Sequence, residues 1–166
     1  MRSAKATDAS AIAAVYNQGI AGRESTFETE ACSAQDFIER IGAGQYPVLV
    51  AELNGRVVGC AWISRYSDRP CYAGVGECSV YVAAELRGRG IGSELLGRLA
   101  EEAERRGFYK LLGKLFPTNQ ASVSLVQRCR FHQVGLHRCH GQLDGQWRDV
   151  LLVERLLGNA ASVCGH

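Results

Sequence analysis

A glycine-rich turn directly before a helical segment is the feature that most constrains how this chain folds. Residues 85–96 read ELRGRGIGSELL, so Gly88, Gly90 and Gly92 alternate with other residues and an apolar stripe of helical spacing follows. The first N–H groups of a helix have no partner within it, and together they carry about half a positive charge. Glycine permits positive φ and a close approach of the backbone. The turn therefore predicts a cradle for a diphosphate, the alternative being a turn without a ligand.

The order of residues in this turn excludes two common nucleotide motifs. A P-loop requires Lys-Ser or Lys-Thr after its last glycine, whereas Ser93-Glu94 follows here. A dinucleotide fingerprint reads G-x-G-x-x-G, and this chain has G-x-G-x-G. Arg87 and Arg89 add positive charge at the rim, which suits an anionic ligand of another kind.

Composition indicates a globular domain without a strongly charged partner. The chain has 166 residues, of which 46% are hydrophobic and 22% charged, and its formal net charge is +2. That charge is too small to indicate binding to nucleic acid or to an anionic membrane. No apolar run approaches the roughly 18–20 residues of a membrane span, and the N-terminal segment lacks the core of a signal peptide. We therefore expect a cytoplasmic protein whose partners include neither nucleic acid nor membrane.

The cysteines indicate thiols rather than a disulfide framework. All seven are irregularly spaced and none forms a C-x-x-C pair, which favours a reducing compartment. Residues 129–140 combine two of them with three histidines. Because their spacing matches no usual zinc pattern, we expect no metal site there.

The apolar pattern predicts a mixed α/β fold with one central sheet flanked by helices. Asn-Gly at 54–55 and Asp-Gly at 144–145 each separate two apolar runs, as in β-hairpins. The predicted order is β, α, α, β, β, β, α, β, α, β, β in a single domain over residues 1–157. Residues 158–166 are expected to form a flexible tail. Candidate helix N-caps are Thr7, Ser33 with Asp36 three residues on, and Thr118 or Asn119.

A strand, the sequence RGRGIG and then a helix are similar to the acyl-CoA signature Q/R-x-x-G-x-G/A of the GNAT acetyltransferase superfamily. Arg87, Gly90 and Gly92 match it. The resemblance implies a GNAT-like acyl-CoA N-acyltransferase fold and acetyl-CoA as co-substrate. It implies that Val80 and Val82 pair with the pantetheine arm like another strand. It further implies that the pantetheine arm or the pyrophosphate is bound by Arg87, Gly88, Arg89, Gly90, Gly92, Ser93, Asn119 and Ser122.

Within that superfamily the chain resembles the phosphinothricin N-acetyltransferase branch, which includes enzymes acting on arsinothricin and methionine sulfoximine. The resemblance runs from about Arg2 to Leu157. Its most specific pieces are FETE at 27–30, R-x-x-Y at 69–72, GECSVYV at 76–82 and W-x-D-V at 147–150. It implies acetylation of the α-amino group of a small amino-acid analogue by a homodimer, with resistance as the outcome.

The resemblance marks Glu77 as the base, and the chemistry requires one. An α-ammonium group cannot attack a thioester until a base removes its proton. In a regular strand Glu77 lies on the face opposite Val80 and Val82, so we expect a bulge that re-aims it toward the acetyl group. The alternative is a solvated surface charge. The Val82 N–H is the candidate donor to the tetrahedral oxyanion.

Acceptor contacts follow from the same resemblance. Arg69 and Tyr72 are the candidates for binding the carboxylate or anionic tail, because a guanidinium offers two directed bonds to such groups. Phe27 and Glu28, in the irregular early loop, are candidates for closing the pocket. Arg65 is a weaker candidate. Trp147 is expected either at the pocket or at the dimer interface.

The C-terminal hairpin departs from the branch pattern. Asp144 and Arg148 replace two histidines of that pattern, and His140 is close in sequence but out of register. Either Glu77 works alone or Asp144 contributes, and the general acid is unassigned. Rival functions are acetylation of peptides, a sensor that binds acyl-CoA without turnover, and a nucleic-acid module. The closed-site motifs argue against peptide acetylation, and the presence of Glu77 argues against a sensor. The low net charge argues against a nucleic-acid module.

Overall fold

The computed structural model describes residues 1–164 as a seven-stranded sheet covered by helices. The strand order is β1-β2-β3-β4-β5-β7-β6; β4 and β5 run parallel and the other neighbours pair antiparallel. The predicted mixed fold is confirmed. The bounds are β1 Arg2–Ser3, α1 Ala9–Ala21, α2 Ala34–Ala43, β2 Val48–Leu53, β3 Arg56–Arg65, β4 Val75–Val82, α3 Ile91–Arg105, β5 Lys110–Leu115, α4 Gln120–Arg128, β6 His132–Leu143, β7 Gln146–Leu156 and α5 Gly158–Cys164.

Local signals set most of these boundaries. The Ser33 N–H donates to Asp36 Oδ2 over 2.7 Å, and the Asp36 N–H donates back to Ser33 Oγ, as the capping pair predicts. Both predicted hairpin turns form with positive φ at their two central residues. The Thr7 cap is wrong. Residues 6–8 instead form a short 3₁₀ turn, in which the Lys5 N–H donates to the Asp8 carboxylate over 2.8 Å.

The C-terminal segment differs from the expected flexible tail. Gly158–Cys164 forms the short helix α5, which follows directly on the buried Leu157. Alanines in this segment favour helix because they lose little side-chain entropy. The last two residues of the predicted tail, 165–166, lie outside the described residues.

Two apolar clusters hold the helices to opposite faces of the sheet. On one face α3 buries a stripe of leucines against residues such as Ile63 and Leu111. On the other face α1 and α2 pack Tyr16 and Phe37 against Trp62. Trp62 and Ile63 are adjacent in β3, so the alternation of a single strand feeds both clusters.

Within residues 1–164, no helix combines the length and the apolar character that crossing a bilayer requires. The same residues contain no group of three His, Cys, Asp or Glu side chains placed to hold a metal ion. All seven cysteines are free thiols.

An ion pair at the start of the chain fastens β1 to the entry of α1. Arg2 donates to both carboxylate oxygens of Asp8, over 2.7 and 2.9 Å, and it also reaches Glu52 on β2. Asp8 is 8% exposed. The bond from Arg2 and the bond from the Lys5 N–H outweigh burial and lower the pKa of Asp8 to about 2.

We expect Asp8→Asn to lower the free energy of unfolding by about 2 kcal/mol at neutral pH. The folded-state pKa lies below the unfolded value of about 3.9, so this contribution is complete above that pH and disappears as pH falls toward 2. Denaturant unfolding of both proteins at several pH values measures the gap. Asp68→Asn is the control, because its pair with Arg65 is exposed. A gap that stayed constant down to pH 2 would contradict the assignment.

Candidate active site

Strands β4 and β5 separate part-way along their length, and this opens the site. They pair at three positions, from Val75↔Lys110 to Glu77↔Leu112. Beyond Glu77, β4 continues alongside β3 while β5 continues alongside β7. The Cys78 thiol donates to the Leu112 carbonyl over 3.2 Å at the point of separation. The second half of β4 therefore has an edge that no described strand covers.

Backbone N–H groups of Val80 and Val82 face this opening. The Ala83 N–H donates to the Val58 carbonyl on β3 over 2.9 Å, in continuous antiparallel register. Because hydrogen-bonded and non-hydrogen-bonded pairs alternate, Val80 and Val82 turn their polar groups away from β3. The Val82 carbonyl accordingly accepts a bond from Arg87 Nε over 3.2 Å. The N–H groups predicted to meet the thioester and its arm are thus accessible.

The glycine turn lies open at the N-terminus of α3. Gly88 has φ +77° and Gly90, the N-cap, has φ +84°, values that residues with a side chain rarely adopt. A Cβ built on either glycine meets no described atom within 4 Å, so the space beside the turn is free. Arg87 and Arg89 are exposed there. Free amides, the positive end of a helix dipole and two guanidinium groups fit a diphosphate.

Gly92 brings α3, α4 and β4 together. A Cβ at this position would lie 2.5 Å from Leu125 Cδ1 and 3.6 Å from Val82, so only glycine fits without a shift. Its neighbour Ser93 accepts a bond from the Cys129 thiol through its carbonyl. A groove of about 210 Å³ runs beside this contact, and its lining includes Val80, Val82, Arg87, Gly92, Asn119 and Ser122.

Asn119 caps α4 and ties it to the loop after α1. Its Oδ1 accepts the Ser122 N–H over 3.0 Å, and its Nδ2 donates to the Glu24 carbonyl over 3.0 Å. The predicted cap is confirmed. A carboxamide offers two donor hydrogens and two acceptor lone pairs, so one of each remains for a ligand. The predicted contact of Asn119 with the pantetheine arm stays a prediction.

A second cavity of about 410 Å³ lies on the other side of the opening. Phe27 and Glu28 from the early loop line it with Glu77, Lys114 and His140. A cleft of about 90 Å³ between β4 and β5 shares lining residues with both the groove and this cavity. The three spaces therefore adjoin one another between the start of α3 and Glu77.

Glu77 forms an ion pair across the opening, with Lys114 Nζ 2.8 Å from its Oε2. The predicted bulge beside it is wrong, because β3 and β4 pair without a register shift from Gly76 to Val82. No bulge is needed. Once β5 has diverged, both faces of β4 border the opening, so Glu77 lines the larger cavity while Val80 lines the groove.

Two tyrosines form the floor of the larger cavity. The rings of Tyr16 and Tyr81 meet edge to face with centroids 4.7 Å apart, and Trp62 stacks on Tyr81 at 5.4 Å. Burial raises the pKa of both phenols above the ordinary value. Both hydroxyls therefore stay protonated at neutral pH and can donate hydrogen bonds.

The structure does not bring the other predicted acceptor residues to this cavity. Arg69 and Tyr72 lie on an exposed turn before β4, where the guanidinium stacks over the Tyr72 ring at 5.6 Å. Neither lines any of the three spaces described above. Arg65 pairs with Asp68. The roles of Arg69 and Tyr72 stay predictions.

Asp144 likewise does not line the larger cavity. Its carboxylate pairs instead with Arg23 at 3.2 Å. Sequence reasoning instead missed Lys114 and, as a site residue, His140. A charged residue inside the apolar run of β5 is a signal for Lys114 that the sequence does contain. His140 reaches the cavity because β6 is irregular there, and no sequence pattern predicts that irregularity.

Known proteins are similar to this chain in both fold and sequence. The acetyltransferase (GNAT) family model matches residues 15–131. Phosphinothricin N-acetyltransferase of Streptomyces viridochromogenes is 32% identical over 152 residues, covering 90% of this chain and 83% of that protein. L-methionine sulfoximine/L-methionine sulfone acetyltransferase of Pseudomonas aeruginosa is 28% identical over 158 residues, covering 93% of this chain and 92% of its own length.

A solved structure agrees with the sequence matches. The phosphinothricin acetyltransferase of Sinorhizobium meliloti, crystallised in complex with AcCoA, superposes with a TM-score of 0.90 at 29% identity. The alignment covers 98% of this chain and 90% of that one. The family model spans well over half of the chain, and the open turn fits the diphosphate of the shared co-substrate. The chain therefore belongs to the GNAT family and is an acetyl-CoA-dependent N-acetyltransferase.

Proposed function

We propose that this enzyme acetylates the α-amino group of a small amino-acid analogue of the phosphinothricin or arsinothricin type, and so detoxifies it. The observation that carries the proposal is the cavity of about 410 Å³ beside Glu77, which has the size of a small-molecule site. Methionine sulfoximine or methionine sulfone is the alternative acceptor, which the match to the Pseudomonas enzyme favours.

The walls of the cavity support a small acceptor rather than a peptide. Phe27 meets Phe116 edge to face at 4.8 Å. A Cβ built on Gly141 of β6 would lie 2.8 Å from the Phe27 ring, so the early loop packs tightly against the C-terminal hairpin. A peptide substrate needs an open groove, whereas this packing encloses part of a cavity of about 410 Å³ that suits a small molecule.

We assign the chemical roles as follows. The Glu77 carboxylate, oriented by Lys114, accepts the proton of the acceptor ammonium. The freed amine forms a C–N bond at the thioester carbonyl and the C–S bond breaks, while the second proton lost by the nitrogen passes, through water, to the departing coenzyme A thiolate. The Val82 N–H, already turned into the opening, donates to the oxyanion between these steps. Acetyl-CoA supplies the activated acetyl group.

The acceptor class is tested by thiol release from acetyl-CoA with phosphinothricin, arsinothricin, methionine sulfoximine, methionine sulfone and a peptide panel. We expect turnover with at least one amino-acid analogue and none with peptides of three residues or more, because a cavity of about 410 Å³ suits a small molecule. Mass spectrometry of the product locates the acetyl group on the α-nitrogen. Turnover with peptides alone would overturn the proposal.

We expect Glu77→Gln to lower kcat by roughly 10²–10⁴-fold, because the variant keeps the shape of the side chain but loses the base. Acetyl-CoA binding, measured by calorimetry, should change little, since Glu77 lies outside the groove that leads to the glycine turn. Glu39→Gln, an exposed position on α2, is the matched control. A Glu77→Gln enzyme with full kcat would exclude this residue as the base.

We expect Gly90→Ala to weaken acetyl-CoA binding while kcat at saturation is largely kept. A side chain at φ +84° costs about 1 kcal/mol or more and distorts the first turn of α3. Gly97→Ala in the same helix is the control, because its added Cβ meets no described atom within 4 Å. Equal affinities for acetyl-CoA in the two variants would contradict the assignment of the turn.

The homodimer implied by the resemblance is also a proposal. The outer strands expose apolar side chains, with Val134 52%, Leu136 43% and Trp147 61% exposed. Such a surface favours burial against a second copy of the chain. Light scattering on the purified protein tests this: a dimer that Trp147→Glu dissociates is the expected result, and a monomer of the original chain contradicts it.

A further inference from the structure

His140 is carried to the acceptor cavity by an irregularity of strand β6. His137 pairs with Val150 and Gly141 pairs with Arg148, so three residues of β6 stand against one residue of β7 between these pairs. Cys139, in the middle of the three, has φ +47°. Its N–H donates to the Asp149 side chain over 2.8 Å, so a carboxylate replaces the strand carbonyl that the bulge removes.

The bulge places two successive residues at the same cavity. His140 and Gly141 both belong to its lining, whereas neighbours in a regular strand face opposite sides of the sheet. Gly141 receives the Phe27 ring, and the His140 ring stacks on His137 with centroids 4.5 Å apart. His137 does not line the cavity. Of the two stacked rings, His140 lines the cavity and His137 does not.

The cavity lining contains charged residues of both signs, and among the basic ones His140 is placed to meet an anionic acceptor. Glu28 and Glu77 are the acidic residues among its lining, and Lys114 and His140 are the basic ones. The Lys114 ammonium lies 2.8 Å from Glu77, so its charge is already offset. Every amino-acid acceptor carries a carboxylate, and phosphinothricin carries a second anion. An imidazole donates a hydrogen bond to such a group, and its protonated form adds a positive charge.

We propose that His140 is an acceptor-binding residue, which donates to an anionic oxygen of the amino acid within the cavity. The inference rests on the proposed function and adds a contact that neither the glycine turn nor Glu77 provides. The alternative role for His140 is a surface ring that only stacks on His137.

The test compares His140→Gln and His140→Ala with His137→Gln in steady-state assays with acetyl-CoA. Phosphinothricin and methionine sulfone are the acceptors, since both have the carboxylate but only the first has an anionic tail. Loss of a charged hydrogen bond should raise the acceptor KM about 10-fold or more in His140→Ala, with kcat and the acetyl-CoA KM changed less than about 3-fold. His140→Gln, which keeps a donor, should fall between, and His137→Gln should match the original enzyme.

A binding measurement adds a readout that does not depend on turnover. In the presence of coenzyme A, phosphinothricin should shift the imidazole NMR signals that His140→Gln removes, and leave those that His137→Gln removes largely unmoved. An effect on KM with both acceptors assigns the contact to the carboxylate, and an effect with phosphinothricin alone assigns it to the tail.

Other outcomes overturn the inference. An unchanged acceptor KM in His140→Ala, or an equal change in His137→Gln, removes His140 from acceptor binding while the proposed function stands. If the original enzyme neither turns over nor binds any amino-acid analogue, the proposed function and this inference fail together. Arg69→Ala in the same assay measures the contribution predicted for the exposed turn.

Discussion

The separation of β4 from β5 is the constraint on which the rest of the structure depends. Sheet strands normally satisfy their backbone groups on both sides, and an edge inside a molecule is costly unless solvent or a ligand satisfies it. Here the pairing of β4 with β5 ends at Glu77↔Leu112, and the Cys78 thiol donates to the Leu112 carbonyl where the strands part. The same event exposes the N–H groups of β4 and gives Glu77 access to a cavity. The Glu77 carboxylate and the Val82 N–H thus border one opening without any distortion of β4.

The two sides of this opening offer different kinds of chemical group. Toward α3 the glycine turn offers backbone amides beside the Arg87 and Asn119 side chains, so this end depends on the path of the chain and tolerates few changes of φ. Toward the early loop the groups are side chains: Glu28, Glu77, Lys114 and His140 above a floor of two tyrosines. A backbone site is preserved as long as the turn folds, whereas a site made of side chains changes with each substitution.

Sequence alone predicts what local chemistry determines. The glycine turn, both hairpins, the Ser33 and Asn119 caps and the mixed sheet follow from signals a few residues long, and the structure confirms them. Contacts between distant segments could not be derived in this way. Lys114 meets Glu77 across 37 positions, the bulge expected in β4 does not form, and β6 carries one that no prediction included. A bulge depends on how two strands share a register, and that is a property of the pair.

The larger cavity lies on the side where the chain departs from the pattern of the branch it resembles. Asp144, which stands where the branch has a histidine, is held by Arg23 rather than facing the cavity. The early loop meets the hairpin through Phe27 at Gly141 and through the Arg23–Asp144 pair, and the Phe27 ring also packs on Phe116 after β5. These contacts lie away from the glycine turn and from the pairing of β3 with β4. Substitutions in the loop or in β6 can therefore reshape the larger cavity while Glu77 and the glycine turn keep their positions.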